Sequence, residues 1–409
     1  MSQPSAPPTP ADAQAENVHR RFFELRPVGS FRLDLTTWAL RRRERNQMDV
    51  WDGRYRRAVL LDGVPATIEV SETNRANAPG ASGVVTMAGE ITPATLSSAA
   101  STTESLLGIC ADLQGFYEVA DADPRLRGLK DRYLGVHPPR FHTLFEALAN
   151  AVANQQLTLE VGIELLNRFT NRYGVAAPSP TGAIKTFPSA ETIAGTTVRP
   201  LRELGFSARK AQYMIGLAEA VASGDVDADE LATMDRADAT DHLQRLTGIG
   251  RWSAEYVLLR GLGRLDVFPG DDVGARNKLE RFLELPAPPD YRQILSILEP
   301  WHPYAGMVYF HLLLDGLAEK GCLGDMPASH DPSTSDAAGS GSSAGRGGGD
   351  HAPSAPNKVR GDHGRRASEG RHSGTTPAGP ERYPMPLLMT ALQAFARHVR
   401  RAEWHHRPG

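Results

Sequence analysis

The chain of 409 residues holds only two cysteines, Cys110 and Cys322. Two thiols cannot build a disulfide framework, a zinc knuckle or a four-cysteine iron–sulfur cluster, and free thiols suit a reducing compartment. No apolar run approaches the roughly 18 residues that a membrane span needs. Residues 1–17 are rich in Pro, Ala and Gln and lack both the basic start and the apolar core of a signal peptide. The expectation is a disordered N-terminus over residues 1–24 in a cytoplasmic protein with no membrane association. A dominant charge sign is missing as well. The 45 Lys and Arg stand against 48 Asp and Glu, a formal net charge of -3, which argues against a protein held on nucleic acid by bulk charge. Arginines do cluster locally, at Arg41-Arg42-Arg43 with Arg45 and at Arg54, Arg56 and Arg57, but such a run is ordinarily a solvated face.

The most informative stretch is Leu246-Thr247-Gly248-Ile249-Gly250-Arg251-Trp252-Ser253-Ala254. Two glycines flanking one apolar residue, between the end of one helix and the start of the next, make a tight hairpin. Its bare backbone N–H groups can approach a phosphate closely. Taken alone, this is the common chemistry of any interhelical turn. The residues downstream of it add weight: Arg251 to Leu262 reads as a helix with Trp252, Tyr256 and Leu259 on one face. Gly261 and Gly263 then end it, and the chain returns through Val267-Phe268-Pro269-Gly270 to two consecutive carboxylates, Asp271 and Asp272. A loop carboxylate after an apolar return is a common way to present a reactive group.

Over roughly residues 25 to 325 the chain resembles the helix-hairpin-helix DNA glycosylase superfamily, and within it the DNA-3-methyladenine glycosylase II family. The resemblance rests on the hairpin with Trp252 and Tyr256, on Asp271-Asp272, and on an ordered series upstream. That series is Leu106-Leu107-Gly108, Asp112-Leu113, Phe116-Tyr117, Pro138-Pro139-Arg140-Phe141, and Phe145-Glu146-Ala147-Leu148 leading to Asn154-Gln155-Gln156.

What the resemblance implies is a base-excision enzyme on double-stranded, damaged DNA. Superfamily members that also cleave the strand carry a lysine two positions after the second glycine of the hairpin, as an amine nucleophile. This chain has Trp252 there, so the resemblance implies a monofunctional enzyme that uses water and leaves an abasic site; Lys278 and Lys210 are the nearest other amines, and neither matches the position. Asp272 matches the family carboxylate and is the candidate catalytic residue, with Asp271 expected to cap the following helix. Trp252 and Tyr256 would wall the base pocket, where stacking and cation–π attraction favour a purine made cationic by N-methylation. Without the resemblance, an aromatic pair at i, i+4 reads as core. Leu313 stands where some relatives have a further pocket aromatic.

Gly248, Ile249, Gly250 and Arg251, with Gln155 and Gln156, would contact DNA, Gln156 at the position of the wedge that fills the gap left by a flipped base. The resemblance also implies a monovalent cation held by the main-chain carbonyls of Gln244, Leu246 and Ile249; no other cofactor is required and no iron–sulfur cluster is expected. The cytoplasmic protein would then sit with the nucleoid. Two rivals stay open: a glycosylase for other purine lesions such as hypoxanthine, and a noncatalytic helix-hairpin-helix module that only binds DNA.

The expected architecture is α+β: an N-terminal antiparallel β-sheet domain followed by an all-helical helix-hairpin-helix domain. Residues 25–105 form the first, a support domain without catalytic residues. Within it Phe31, Leu33 and Leu35 read as a strand, Val59 and Leu61 run into an Asp62-Gly63 hairpin turn that returns at Ile68 and Val70, and Val84 to Ile91 reads as another strand. Residues 106–325 turn helical throughout, as in Leu144, Leu148, Val152 and Gln155. Residues 326–383 are Ser, Gly, Pro and His rich and read as a flexible linker. In 384–405, Leu388, Leu392, Phe395 and Val399 are spaced for one amphipathic helix, which would dock a protein partner, tether DNA or a surface, or fold back on the body.

Overall fold

The structure, a computed structural model, describes residues 18–75 and 78–323. The expected linker over 326–383 and helix over 384–405 lie outside the described residues. An antiparallel sheet comes first and a helical region follows, as expected. The sheet has five strands in the order β1-β5-β4-β3-β2, with β1 at Val18–Leu25, β2 at Val50–Trp51, β3 at Tyr55–Leu61, β4 at Val64–Arg75 and β5 at Ala78–Ala88. Its central hairpin falls where the sequence placed it: Leu61 pairs with Val64 across Asp62 (φ 51°) and Gly63 (φ 80°). Two consecutive left-handed residues make the turn type whose twist suits paired strands.

Three expectations need correction here. Residues 18–25 are a strand, so the disorder expected over 1–24 does not hold for residues 18–24. This is an edge strand with only Leu25 fully buried, so it carries no alternation for a sequence reading to find. Leu33 and Leu35 belong to helix α1 (Leu33–Arg41), not to a strand. Every residue of α1 except Asp34 is buried, and a helix buried on nearly all sides shows no 3.6-residue stripe. The later region is not helical throughout either: a two-stranded ribbon, β6 (Ala176–Ala177) with β7 (Ile184–Lys185), brackets the Pro- and Gly-containing turn at 178–183.

The helical region is α2 (Pro93–Leu107), α3 (Gln114–Ala122), α4 (Pro124–Arg132), α5 (Leu144–Asn154), α6 (Leu159–Tyr173), α7 (Ala190–Ala194), α8 (Val198–Glu203), α9 (Ala208–Ser223), α10 (Ala228–Thr233), α11 (Arg236–Gln244), α12 (Arg251–Arg260), α13 (Val273–Phe282), α14 (Tyr291–Leu298) and α15 (Ala305–Ala318). Polar side chains set most of the starts: Thr143, Thr158, Ser207 and Asp272 each accept an N–H from the first turn of the helix they precede. Helix α5 is buried along its length from Leu144 to Ala153.

One apolar core runs without a break from Leu25 in the sheet to Leu317 in α15. Buried arginines stitch its two parts together. Arg57 of β3 is bonded to Asp49 at 2.6 Å and to Glu146 of α5 at 2.5 Å. Arg260 of α12 is fully buried between the rings of Phe141 and Phe310, and it donates to the carbonyls of Ala39 and Leu40 at the end of α1. Those carbonyls are among the helix-end acceptors that have no partner within the helix itself. The sheet is thereby fixed to the helices that carry the hairpin and the carboxylates.

Candidate active site

Helix α11, the turn over 245–250 and helix α12 form the hairpin, and its two glycines do different work. Gly248 has φ +94°, and a Cβ there would sit 2.5 Å from the Tyr213 ring, so only glycine fits both the backbone and the packing. Around Gly250 nothing among the described residues lies within 4 Å of where a Cβ would stand, and the residue is exposed. Gly250 also caps α12 without a side-chain bond, so the first N–H groups of the helix point outward with the positive end of its dipole. Ile249 is buried, with its N–H on the Leu246 carbonyl at 3.1 Å. The side chain of Arg251 does not project freely. It pairs with Asp271 at 2.7 Å and lies 3.7 Å above the Tyr291 ring.

Trp252 and Tyr256 stack at 5.5 Å between centroids and 28° between planes, one turn apart on α12. They are not equivalent. Tyr256 is buried, its ring beside Phe141 at 6.1 Å, and its hydroxyl accepts from Arg42 at 2.6 Å. Trp252 is half-buried and forms the outer layer, backed by Tyr256. Its indole N–H reaches the Asp272 Oδ2 at 3.3 Å. The candidate wall and the candidate carboxylate are therefore in direct contact.

Asp272, not Asp271, caps α13: its Oδ1 accepts the Ala275 N–H at 2.9 Å. Asp271 is drawn instead to Arg251, because the two face each other across the loop while Asp272 turns toward the helix axis. With one oxygen on the helix start and the other on the indole, the Asp272 carboxylate is fixed in direction and half-exposed. Two neighbours respond to its charge. The Tyr309 phenol is pushed well above its usual range by burial and by Asp272. The Lys278 ammonium is lowered to about 8 by burial, with the charge of Asp272 opposing that shift and Arg43, Lys320 and Arg281 adding to it.

The loop that presents Asp272 is held from beneath by Glu255 of α12. This buried carboxylate accepts the Gly270 N–H at 3.2 Å and the Tyr291 hydroxyl at 2.5 Å, and burial pushes its pKa upward. Gln155 and Gln156 part company. Gln155 donates from Nε2 to the Gly248 carbonyl at 2.8 Å and to the Ser253 hydroxyl at 3.0 Å, which binds it to the hairpin. Gln156 is exposed, with φ +54°.

Arg42, Glu255 and Tyr309 are site residues that the sequence reading missed. The basic run at 41–43 looked like a solvated face, yet Arg41 and Arg42 are buried. Arg42 lies 214 positions from Tyr256 in the sequence, and no local pattern could join them. The glutamate between Ala254 and Tyr256 was legible only as a charged residue inside an apolar helix face. The amine of Lys210 is occupied, its Nζ donating to the carbonyls of Ala153 at 2.9 Å and Gln155 at 2.7 Å. Among the described residues no group of His, Cys, Asp and Glu could hold a metal ion, and no helix is long and apolar enough to cross a membrane.

Residues 149–303 match the model of the HhH-GPD superfamily base excision DNA repair proteins. That span includes the hairpin, Trp252, Tyr256 and Asp272. The chain is 33% identical over 201 residues to a DNA-3-methyladenine glycosylase of Bacillus subtilis, covering 49% of this chain and 66% of that protein. It is 32% identical over 169 residues to DNA-3-methyladenine glycosylase 1 of Schizosaccharomyces pombe, covering 41% of this chain and 70% of that one. A putative DNA-3-methyladenine glycosylase of Bacillus subtilis is matched over 58% of its length, so the chain spans less than two thirds of each of the two Bacillus relatives. In structure it is similar to a 3-methyladenine DNA-glycosylase from Archaeoglobus fulgidus, with TM-score 0.62 and 27% identity over 72% of this chain and 97% of that one. With the hairpin, the stacked aromatic pair and the capping aspartate in one place, the chain belongs to the DNA-3-methyladenine glycosylase family of the HhH-GPD superfamily.

Proposed function

We propose that this protein is a monofunctional DNA glycosylase that flips alkylated purines of the 3-methyladenine and 7-methylguanine type out of duplex DNA and hydrolyses their N-glycosidic bond, leaving an abasic site. The observation that carries this is the Trp252 to Asp272 contact. At the hairpin position where an amine would make a strand-cleaving lyase stands an indole, which holds the carboxylate and offers its face to the base. Tyr256 stiffens that face from behind. A cationic ring gains stacking and cation–π attraction there, and a neutral base gains less.

Breaking the glycosidic bond develops positive charge on the sugar. A fixed carboxylate at about 4 Å, in an effective dielectric near 20, stabilises that charge by about 4 kcal/mol, or roughly a thousandfold in rate. Such a gain suffices for a base that leaves already cationic and needs no general acid. Asp272 also orients the attacking water. The duplex is held by the outward N–H groups of Gly250 and the start of α12, with Arg251 contributing main chain while its side chain braces Asp271. Gln156, exposed in the α5 to α6 turn, is the wedge, and Gln155 anchors it.

A monovalent cation at the hairpin fits the backbone present. The Gln244 carbonyl is one of the last four of α11, which lack intrahelical donors, and the Leu246 carbonyl keeps a lone pair beyond the Ile249 N–H. With the Ile249 carbonyl they would hold the ion and add positive charge beneath a phosphate. The test of the function is single-turnover incubation with methylated duplex DNA, followed by alkali. The expected result is free 3-methyladenine and 7-methylguanine, with strand breaks only after alkali. Breaks without alkali, or a borohydride-trapped adduct, would refute the monofunctional reading. DNA binding without base release from any purine lesion would refute the enzyme.

A further inference from the structure

The segment Gly205 to Lys210 enters none of the chemistry above, yet helix α9, which begins there, lies under both loops that face DNA. Its Lys210 sends Nζ to the carbonyls of Ala153 and Gln155 at 2.9 and 2.7 Å, at the frayed end of α5 where the wedge turn starts. One helical turn on, Tyr213 packs flat beneath Gly248 of the hairpin. The third side of the triangle is Gln155, whose amide joins the same turn to the Gly248 carbonyl and the Ser253 hydroxyl. The turn then runs out into the exposed Gln156, Leu157 and Thr158, the first in the left-handed conformation.

The shape of this cluster matters. A residue held at positive φ costs energy and persists only where its surroundings over-determine it. Here the over-determination comes from an ammonium and an amide that satisfy carbonyls with no helical partner. Burial works against the ammonium, lowering its pKa to about 8, so a lysine is kept there against a desolvation penalty. An apolar residue would avoid that penalty but would leave the carbonyls bare.

We propose that Lys210 is a positioning residue that joins the hairpin and the wedge turn into one rigid unit, so that gripping the phosphate backbone drives Gln156 and Leu157 into the base stack. Lys210 touches no reacting atom; its effect is on the cost of extruding the lesion. The proposal rests on the glycosylase reading and deepens it.

The experiment compares base release from two duplexes carrying 7-methylguanine: one with the lesion paired to cytosine, one with it opposite an abasic analogue, where extrusion costs less. For Lys210→Met the rate on the paired lesion is expected to fall about tenfold more than the rate on the unpaired lesion, the scale of one lost charge-assisted hydrogen bond. Lys210→Arg, which keeps charged donors in reach, is expected to recover most of the paired rate. Gln155→Leu, which cuts the link between the turn and the hairpin, is expected to reproduce the Met pattern and serves should Lys210→Met fail to fold. Equal losses on both duplexes would overturn the proposal, since a purely structural role moves both alike, and so would no loss on either. Absence of release from both duplexes by the wild-type protein would instead overturn the glycosylase reading beneath it.

Discussion

Replacing Arg42 with methionine would loosen the candidate aromatic wall from the sheet domain that backs it. Arg42 is 4% exposed and makes two buried bonds, to the Tyr256 hydroxyl at 2.6 Å and to the Asn150 Oδ1 at 2.9 Å; its guanidinium also lies 5.6 Å from the Phe141 ring. Methionine fills much of the volume but leaves both polar atoms without a partner. Each such orphan costs about 1–3 kcal/mol, partly offset because the guanidinium no longer has to be desolvated. The expected net loss is about 3 kcal/mol, which lowers Tm by roughly 5–10 °C in a body of this size. Function should follow stability, since Trp252 stacks on the very ring that Arg42 holds: kcat/KM for a 7-methylguanine duplex is expected to fall about tenfold at a temperature where the variant is folded. Arg43→Met is the internal comparison. Arg43 forms a partly exposed pair with Glu160, worth about 0–1 kcal/mol. Thermal melts and single-turnover excision on the two variants decide the matter. An Arg42 variant as stable and active as the Arg43 variant would refute the coupling of the sheet domain to the pocket.

The two hairpin glycines should respond in opposite ways. Gly248→Ala meets the Tyr213 ring and a positive φ together, and is expected to lose about 2–3 kcal/mol in denaturant unfolding. Gly250→Ala meets open space and is expected to keep its stability while weakening duplex binding in a titration, because the added methyl stands where a phosphate would approach. His311 gives a pH signature. Its Nδ1 donates to the Met307 carbonyl at 2.8 Å, its Nε2 has no partner among the described residues, and burial lowers its pKa from 6.5 to about 4. A folded pKa below the unfolded one means that acid favours the unfolded state: as pH falls from about 6.5 toward 4, stability should drop by up to about 3 kcal/mol from this group. Urea midpoints measured across that window should shift less in His311→Leu, and identical slopes would refute the assignment.

How much of this was legible in the sequence varies residue by residue, and the reasons are physical. The hairpin, the aromatic pair and the aspartate could be picked out because their local patterns, glycines at fixed spacing, rings at i, i+4 and a carboxylate after a Pro-Gly turn, match a family the chain resembles; without that match the turn is ordinary and the rings read as core. The Asp62-Gly63 hairpin was legible from its local pattern alone. Helix α1 was misread because burial on nearly every side removes the periodicity that marks a helix, and β1 was missed because an exposed edge has none to offer. The assignment of the cap to Asp271 failed because two adjacent aspartates are equivalent in sequence. Only the position of Arg251 across the loop tells them apart. Arg42, Arg57 and Arg260 were beyond reach, since what makes them structural is a partner far along the chain, and arginine carries a prior for the surface.

The most direct test of the central claim is release of free base from methylated duplex DNA by the wild type beside Asp272→Asn. Asparagine caps helices as well as aspartate does, so the substitution removes the charge and leaves the start of α13 intact. Excision is expected to fall roughly a thousandfold, with the unfolding transition and the affinity for damaged DNA little changed. Turnover by Asp272→Asn within a few-fold of the wild type would contradict the placing of Asp272 at the reaction centre.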